Sequence, residues 1–306
     1  MSRAFVHLHN HSEYSVLDGA SKIDKMLDRC EEYGMPACAL TDHGNLFGAL
    51  EFYKKAKKRG IKPIIGCELY VSPTDRFDKN FRSSSQAAEH FLVLCETDAG
   101  YHNLLKLSTA GYLEGYYYKP RVDDELLAKH SEGLIATTSC LSGRVPRFLV
   151  DGDVDRARQA IRRYIEIFGK QHYLVELMDH GIPEEERVNA YLCELADDLG
   201  LMTIATNDCH YVDADDAEAH DALLCIQTGA TIEQENRMRF PGPEFFFRTA
   251  DEMAERFPDR PEALANTVAI AERCNVEIKL ENNLIPDFTP PPGKTKISYL
   301  TELVME

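Results

Sequence analysis

The stretch Phe5-Val6-His7-Leu8-His9-Asn10-His11-Ser12 indicates how this chain folds, because an apolar, β-prone run ends there in alternating histidines. Side chains two residues apart on a strand point to the same face, so His9 and His11 can present their imidazoles together. Imidazole nitrogens at the end of a strand are common metal ligands, and Asp18 follows closely in the sequence. The opening segment therefore predicts a metal site at the edge of a sheet.

The composition sets limits on the function. The chain has 306 residues, of which 44% are hydrophobic and 28% charged, as in ordinary globular domains. A net charge of −17 argues against a general electrostatic grip on nucleic acid. No apolar run is long enough to span a bilayer, and the start lacks a signal-peptide core, so neither a membrane partner nor secretion is expected. Nine cysteines without a CxxC pair exclude a structural zinc finger and favour a reduced, cytoplasmic setting.

Short β-prone runs alternate with helical stretches along the chain. Strands are predicted at residues 4–9, 37–41, 63–71, 90–95, 133–138, 172–177 and 202–206. Helices are predicted at residues 22–33, 47–59, 101–110, 154–168, 184–199, 250–257 and 261–274. Ser21 is the expected N-cap of the first helix, and glycines follow four of the helices, the first among them. Parallel neighbours need crossover helices, so the pattern predicts an α/β fold, a seven-stranded barrel in preference to an open doubly wound sheet.

The domain organisation is predicted from changes in composition. The barrel is expected to extend to about residue 240, and a short C-terminal helical extension to follow it within a domain of residues 1–285. Residues 286–306 begin Pro-rich and are predicted to be a linker that leads into another domain. Residues 74–86 are polar and Ser-rich, and are predicted to form an exposed loop.

Potential metal ligands stand at most of the predicted strand ends, where the chemistry of β/α barrels is located. They are His9, His11, Asp42, His43, Glu68, Cys140, Asp208 and His210. Histidine and thiolate ligands favour zinc, whereas carboxylates can bridge ions or accept manganese or iron. The set is too large for one tetrahedral ion, so two or three divalent ions are expected. Clustered divalent ions suit the hydrolysis of phosphate esters.

Four motifs resemble the PHP (polymerase and histidinol phosphatase) superfamily: His9-x-His11, Thr41-Asp42-His43-Gly44, Gly66-x-Glu68 and Asn207-Asp208-x-His210. Longer segments are similar to the N-terminal domain of the α subunits of bacterial DNA polymerase III, a C-family replicative DNA polymerase. They include residues 5–19, 41–48, 62–68, 118–123, 176–181, 205–211 and 271–275. This resemblance runs from about residue 3 to the C-terminus.

The resemblance implies a distorted barrel of seven strands and a site for up to three metal ions. It implies nine ligands in three groups: His9, His11, Glu68 and Asp208 for one ion; Glu68, His90 and Cys140 for a second; Asp18, His43 and His210 for a third. His90 begins its predicted strand instead of ending it, so the residue pattern alone does not place it at the site. Either that strand runs antiparallel or its predicted boundary is wrong.

Other residues are weaker candidates for the site. Asp42 is expected to orient a ligand histidine. Lys119 and Arg121, next to three tyrosines at residues 116–118, could contact a DNA backbone and stack bases, although a solvated loop or a contact with another domain explains them equally well. His180 and Glu176 could approach the cluster, whereas burial is the simpler explanation of His7. No function is assigned to His102, His130, His172 and His220.

Three functions are considered. The resemblance implies a metal-dependent 3′→5′ exonuclease that proofreads by hydrolysing the terminal phosphodiester of a single-stranded or mispaired DNA 3′ end, with a hydroxide held on the metal. The alternatives are a catalytically silent scaffold, favoured by the acidic charge, and a small-molecule phosphoesterase. The full-length protein is expected to be a DNA-directed DNA polymerase in the bacterial cytoplasm, associated with the nucleoid, with its polymerase active site outside this chain. Its remaining domains and other replisome subunits are the expected partners.

Overall fold

The computed structural model describes residues 5–280 and 286–306, which belong to two compact units divided after Val276. The predicted strand start at Ala4 and the predicted domain boundary near residue 285 lie outside the described residues. The first unit contains the sheet and all the predicted site residues. In the second unit, the described part contains a helix at Lys296–Met305 within the predicted linker region.

In the described residues, seven strands form one curved sheet. They are β1 (Ala37–Leu40), β2 (Lys62–Val71), β3 (Glu89–Cys95), β4 (Arg121–Val122), β5 (Leu134–Thr137), β6 (Tyr173–Met178) and β7 (Thr203–Thr206). The order across the sheet is β1-β2-β3-β5-β6-β7, with β4 paired to β2. All pairs are parallel except those of β3, which runs antiparallel to β2 and β5. The predicted α/β fold with a distorted seven-stranded barrel is confirmed.

The segment of residues 5–11 links the two ends of this sheet. Ala39 of β1 donates its N–H to His7 O at 2.9 Å, and Cys209, just after β7, donates to His9 O at 3.2 Å. The segment therefore occupies the position of the first predicted strand without forming a regular ladder. Arg121–Val122 is a strand that sequence analysis missed, because two residues are too few to give a recognisable pattern.

Helices cover the outside of the sheet. The described part contains α1 (Ile23–Glu32), α2 (Ala49–Lys58), α3 (Ser84–Ala87), α4 (Asp98–Leu113), α5 (Asp124–Lys129), α6 (Arg144–Val150), α7 (Val154–Phe168), α8 (Pro183–Leu199), α9 (Ala217–Thr228), α10 (Ala250–Arg256), α11 (Pro261–Arg273) and α12 (Lys296–Met305). The seven predicted helices are present, with small shifts of their ends. Sequence analysis missed α3, α5, α6, α9 and α12, four of which have ten residues or fewer. The predicted cap at Ser21 is wrong, because Lys22 occupies the N-cap and Ile23 donates its N–H to Glu13 Oε2 at 3.1 Å.

One helix of the predicted C-terminal extension is part of the barrel itself. Ile270, Ala271 and Cys274 join the buried side chains of the strands in one apolar cluster. Asn266 donates to Thr203 O at 2.8 Å, at the first residue of β7. Helix α11 therefore closes the barrel at the end where the parallel strands begin, opposite the predicted ligands. Burial of each large apolar side chain contributes about 1.5–3 kcal/mol.

The expectations about membrane spans and about cysteines can be compared with the structure. None of the helices in the described residues is both long and apolar enough to cross a membrane. All nine cysteines lie in the described part of the chain, and each of them is a free thiol.

Candidate metal centre

The direction of β3 places His90 at the edge of the sheet that carries the other candidate ligands. In the antiparallel register, His90 pairs with Tyr70 near the end of β2, two residues beyond Glu68. His90 Nδ1 consequently lies 3.0 Å from Glu68 Oε1. Of the two explanations left open by the sequence, the antiparallel strand is the one observed.

Glu68 lies at the centre of the cluster and is fully buried. Its carboxylate approaches imidazole nitrogens of four histidines: His9 at 3.6 Å, His11 at 3.5 Å, His43 at 2.7 Å and His90 at 3.0 Å. The Cys140 sulfur, which follows β5, lies 3.6 Å from the same carboxylate. This central position is the one expected of a carboxylate that bridges metal ions.

Asp208 and Asp18 contribute carboxylates on the two sides of this centre. Asp208 Oδ1 lies 3.3 Å from His9 Nε2 and 3.0 Å from His11 Nε2. Asp18 Oδ1 lies 3.3 Å from His43 Nε2. The His210 ring packs 4.3 Å from that of His11, centroid to centroid. The structure thus brings all nine predicted ligands together.

Several ligand atoms in this cluster are buried and have no hydrogen-bond partner. Within the described part of the chain, they are His9 Nε2, His11 Nε2, Asp18 Oδ1, His43 Nδ1, Glu68 Oε2 and Asp208 Oδ1. Some of these atoms lie close to one another, but the angles between them do not allow a hydrogen bond. Buried polar atoms are almost always paired, so a concentration of unpaired ones in one space indicates a binding site for a further group. Divalent metal ions fit this set of nitrogen, oxygen and sulfur ligands.

Three sets of three ligand atoms lie within 4.8 Å of one another in the described residues: His9, His11 and Asp208; His43, Glu68 and His90; His11, His43 and His210. Ligands about 2.0–2.2 Å from a tetrahedral ion are about 3.3–3.6 Å apart, and the distances of 3.3 Å and 3.0 Å from Asp208 Oδ1 to His9 Nε2 and His11 Nε2 are close to this value. The sets overlap with the three groups of the sequence prediction without being identical to them.

Glu176 holds His9 in the orientation required of a ligand. His9 Nδ1 donates to Glu176 Oε1 at 2.8 Å, which leaves Nε2 directed at the cluster. The same carboxylate accepts hydrogen bonds from Thr137 Oγ1 and from Thr206 Oγ1. Glu176 lies inside β6, within the strand that the sequence predicts at residues 172–177, and is buried. An acidic residue within an apolar strand is the signal that could have identified it.

Asp42 acts on His11 through an intervening serine. Ser15 Oγ donates to Asp42 Oδ1 at 2.9 Å and lies 3.0 Å from His11 Nδ1. Ser12 donates its backbone N–H to the same Asp42 oxygen at 2.6 Å. Sequence analysis missed Ser15, whose type and position give no signal without the fold.

The pKa values of the histidines in the cluster are shifted in opposite directions. Burial disfavours the charged ring of His43, but Asp18 and Glu68 outweigh it and raise its pKa to about 10. Burial and the neighbouring His43 lower the pKa of His11 to about 4, and burial and His11 do the same for His210. Burial also raises the pKa of the Cys140 thiol. A bound metal ion would remove this thiol proton, since coordination deprotonates thiols.

One residue of the cluster and one next to it adopt left-handed backbone conformations that residues other than glycine rarely adopt. Ser139 has φ 62° and Asp208 has φ 40°. Such conformations cost about 1–3 kcal/mol and are concentrated at functional sites. Ser139 Oγ donates to Glu68 Oε1 at 2.9 Å, so the strained turn supports the central carboxylate.

A cavity of about 300 Å³ opens onto the centre, and we call it the metal cavity. Asp18, His90 and His210 form part of its wall, together with Phe240. Arg239 places a cationic residue in the same wall. The centre is therefore accessible to a small charged substrate.

The structure corrects the prediction of a DNA contact for Arg121. This residue is fully buried, and its guanidinium donates to the carbonyl oxygens of Ala87, Gly115, Arg76 and Asp78. Its charge holds the loops around β4 together and cannot reach a DNA backbone. Lys119, in contrast, lines a second cavity next to the metal cavity.

Three other histidines form hydrogen bonds to backbone carbonyl oxygens, and one of them, His180, also lines the metal cavity. His7 Nε2 donates to Arg248 O at 2.8 Å, and His180 Nε2 donates to Asn207 O at 3.0 Å. His220, to which no function was assigned, donates to Asp18 O at 2.7 Å and thereby supports a candidate ligand.

The PHP domain family matches residues 7–180, which is more than half of the chain. The chain therefore belongs to the PHP domain family. It is 46% identical over 302 residues to DNA polymerase III subunit alpha of Treponema pallidum, and 43% identical over 308 residues to that of Thermus aquaticus. These alignments cover 98% of this chain but 26% and 25% of the relatives, so the chain spans about a quarter of their length. The resemblance to these α subunits is confirmed.

One solved structure that partly matches this chain is described as a metal-dependent phosphoesterase from Bifidobacterium adolescentis. It is 13% identical in sequence, with a TM-score of 0.45, and the alignment covers 83% of this chain and 96% of that one. This degree of similarity carries no inference about the chemistry of the site.

Proposed function

We propose that this domain is a metal-dependent 3′→5′ exonuclease that hydrolyses the terminal phosphodiester of a single-stranded or mispaired DNA 3′ end. The observation that carries the proposal is the group of six buried, unpaired ligand atoms in the cluster, three of which belong to residues that line the metal cavity: Asp18, His43 and Asp208. The similarity to DNA polymerase III α subunits supports DNA as the substrate.

The nine clustered residues would hold up to three divalent ions, with zinc the best match to the ligands and manganese or iron as the alternatives. They are His9, His11, Asp18, His43, Glu68, His90, Cys140, Asp208 and His210. When bound, such ions polarise a phosphodiester and lower the pKa of water. Glu68 is buried between four of the histidines and supplies negative charge at the middle of the site.

Several residues of the chain prepare the site for this reaction. Glu176 fixes the ring of His9, and Ser15 fixes that of His11. Arg239 lines the metal cavity, where its charge favours an entering phosphate. Phe240 and Phe245 line the same cavity and supply apolar surface to its wall.

The setting of the reaction is part of the same proposal. The domain would act within the α subunit of a bacterial replicative polymerase in the cytoplasm, associated with the nucleoid. Its partners would be the remaining domains of that subunit and other replisome subunits. The rest of the polymerase would hold the duplex, because this chain, with a net charge of −17, is poorly suited to do so.

A primer-degradation assay tests the proposal. The metal-loaded chain should shorten a 5′-labelled primer with a 3′ mismatch and release 5′-mononucleotides. Asp208→Asn and His43→Gln should each reduce the rate at least 100-fold, while Asp155→Asn, at an exposed site, should not change it. A folded, metal-loaded wild-type chain that leaves the primer intact would contradict the proposal.

The acidic charge favours a second candidate, a silent scaffold for the polymerase. In that case Asp208→Asn would change the melting temperature, with no nuclease activity to lose. Release of phosphate from histidinol phosphate, with no nucleotide release from DNA, would instead indicate a small-molecule phosphatase.

A further inference from the structure

A second cavity, of about 310 Å³, lies directly beside the metal cavity, and we call it the aromatic cavity. His43 lines both cavities, so the residue that they share is itself a candidate metal ligand. Tyr70 lines the aromatic cavity, and its ring lies 5.3 Å from that of His90. A chain bound at the metal centre could therefore continue into the aromatic cavity.

The wall of the aromatic cavity exposes large aromatic side chains. Phe47 is 62% exposed, Tyr116 is 54% exposed and Tyr112 is 40% exposed. The Tyr112 ring lies 6.2 Å from that of Phe47 and 6.3 Å from that of Tyr116. Contiguous exposed aromatic surface is unusual on a soluble domain and marks binding sites.

Two neighbouring residues show that this wall is built, not incidental. Tyr118 is 47% exposed and has φ 59°, a strained conformation for a tyrosine. Lys119 extends its ammonium group over the Tyr70 ring, 5.1 Å from the centroid. The cavity thus combines flat aromatic faces with one cationic group close to the metal centre.

We propose that the aromatic cavity binds the nucleotides immediately upstream of the 3′ terminus of single-stranded DNA, which extends the exonuclease proposal above. Bases would stack on Tyr112 and Tyr116, and Lys119 would contact a backbone phosphate. Stacking accepts every base, as a nuclease without sequence preference requires. It also needs little positive charge, which suits an acidic chain. An apolar protein surface would gain nothing from the lysine or from the adjacent metal centre.

Binding of a single-stranded oligonucleotide measures the proposed role without depending on hydrolysis. The probe is a 5′-fluorescein oligothymidylate whose 3′-terminal linkages are phosphorothioates, titrated with the metal-loaded chain and followed by anisotropy. Base stacking contributes about 1–3 kcal/mol, so Tyr112→Leu and Tyr116→Leu should each weaken binding about 5- to 150-fold. Phe77→Leu, at a ring that is 59% exposed and does not line the aromatic cavity, is the matched control and should not change the Kd.

A second probe separates stacking from an indirect effect on the fold. An oligonucleotide with abasic residues at the two positions before the terminus should bind wild type about as weakly as it binds the two tyrosine variants. Equal Kd values for wild type and variants with the base-bearing probe would overturn the proposal. The proposal would also be overturned if the tyrosine variants lost as much affinity for the abasic probe, relative to wild type, as they lose for the base-bearing probe. If the tyrosine variants behave as expected and no hydrolysis occurs, the exonuclease proposal fails and the DNA site remains.

Discussion

At the scale of single residues, Glu176 shows how a side chain outside the ligand set can control it. Its carboxylate accepts a hydrogen bond from His9 Nδ1 at 2.8 Å and is itself held by Thr137 and Thr206. Such partners fix the tautomer of a ligand histidine and increase its basicity.

Glu176→Gln should therefore weaken metal binding about 10- to 100-fold, because the neutral amide holds the His9 ring less firmly. The measurement is zinc affinity by competition with a chromophoric chelator. Glu166→Gln, at a side chain that is 69% exposed, is the control and should match wild type. Equal affinities for Glu176→Gln and wild type would show that His9 is not a ligand or is not oriented by this contact.

The buried ring of His7 leads to a prediction about how the stability of the fold depends on pH, and this prediction does not require a bound metal ion. Burial is the main cause that lowers its pKa from 6.5 to about 4, and the charge of Arg248 also contributes. As the pH falls, His7 is therefore protonated in the unfolded chain before it is protonated in the folded chain. The neutral ring contributes its full share to the free energy of unfolding above pH 6.5. This contribution is lost as the pH falls from 6.5 to 4. The full difference is about 3 kcal/mol.

His7→Gln should lose about 3 kcal/mol less stability than wild type between pH 6.5 and 4, because the amide does not titrate. The free energy of unfolding in urea, measured with chelator across this range, checks the difference. His102→Gln, at an exposed site, is the control. If the free energy of unfolding of His7→Gln depended on pH as steeply as that of wild type, the lowered pKa of His7 would be contradicted.

At the scale of the elements, the direction of β3 and the position of α11 decide where the site lies. Neither could be predicted from the sequence. An apolar strand gives the same alternating signal in either direction, so His90 was assigned by resemblance alone. Helix α11 has the pattern of any surface-packed helix, and its role at the barrel end depends on strands far away in the sequence. The ligands at strand ends, in contrast, were predictable because residue type and strand position are both local.

Ile270→Ala in α11 should destabilise the first unit by about 2–5 kcal/mol, because this side chain is fully buried against the strands. The expected fall in melting temperature is about 5–15 °C. Ile226→Ala, at a residue that is 76% exposed, should change it little. The metal content of Ile270→Ala should equal that of wild type, since α11 lies at the other end of the barrel; loss of metal would contradict this arrangement.

At the scale of the whole molecule, the net charge of −17 limits how the chain can hold DNA. Lys119 and Arg239 are the cationic residues that line the aromatic and metal cavities within the described part of the chain. Each phosphate contact contributes a slope of about −0.7 to the dependence of log affinity on log salt for single strands.

Binding of the single-stranded probe should therefore show a salt slope no steeper than about −2, and Lys119→Gln should reduce it by about 0.7. Lys129→Gln, at an exposed lysine outside both cavities, should leave the slope unchanged. Titrations between 50 and 300 mM salt (about a sixfold range) measure it. A salt slope steeper than about −4 would contradict this prediction, because it would require about six phosphate contacts.

Sequence analysis could not predict the role of Arg121 from its neighbours. An arginine next to three tyrosines resembles a nucleic-acid contact, but its donors are used by four backbone carbonyls. Only the folded loops around β4 show this, because the acceptors come from three separate parts of the chain.

Elemental analysis of the chain, purified without chelators, tests the central claim that the nine clustered residues form a metal centre. We expect two to three divalent ions per chain in wild type, mostly zinc or manganese, and a lower content in Asp208→Asn. A well-folded wild-type chain that retains no divalent ion, even after incubation with zinc or manganese, would contradict the account.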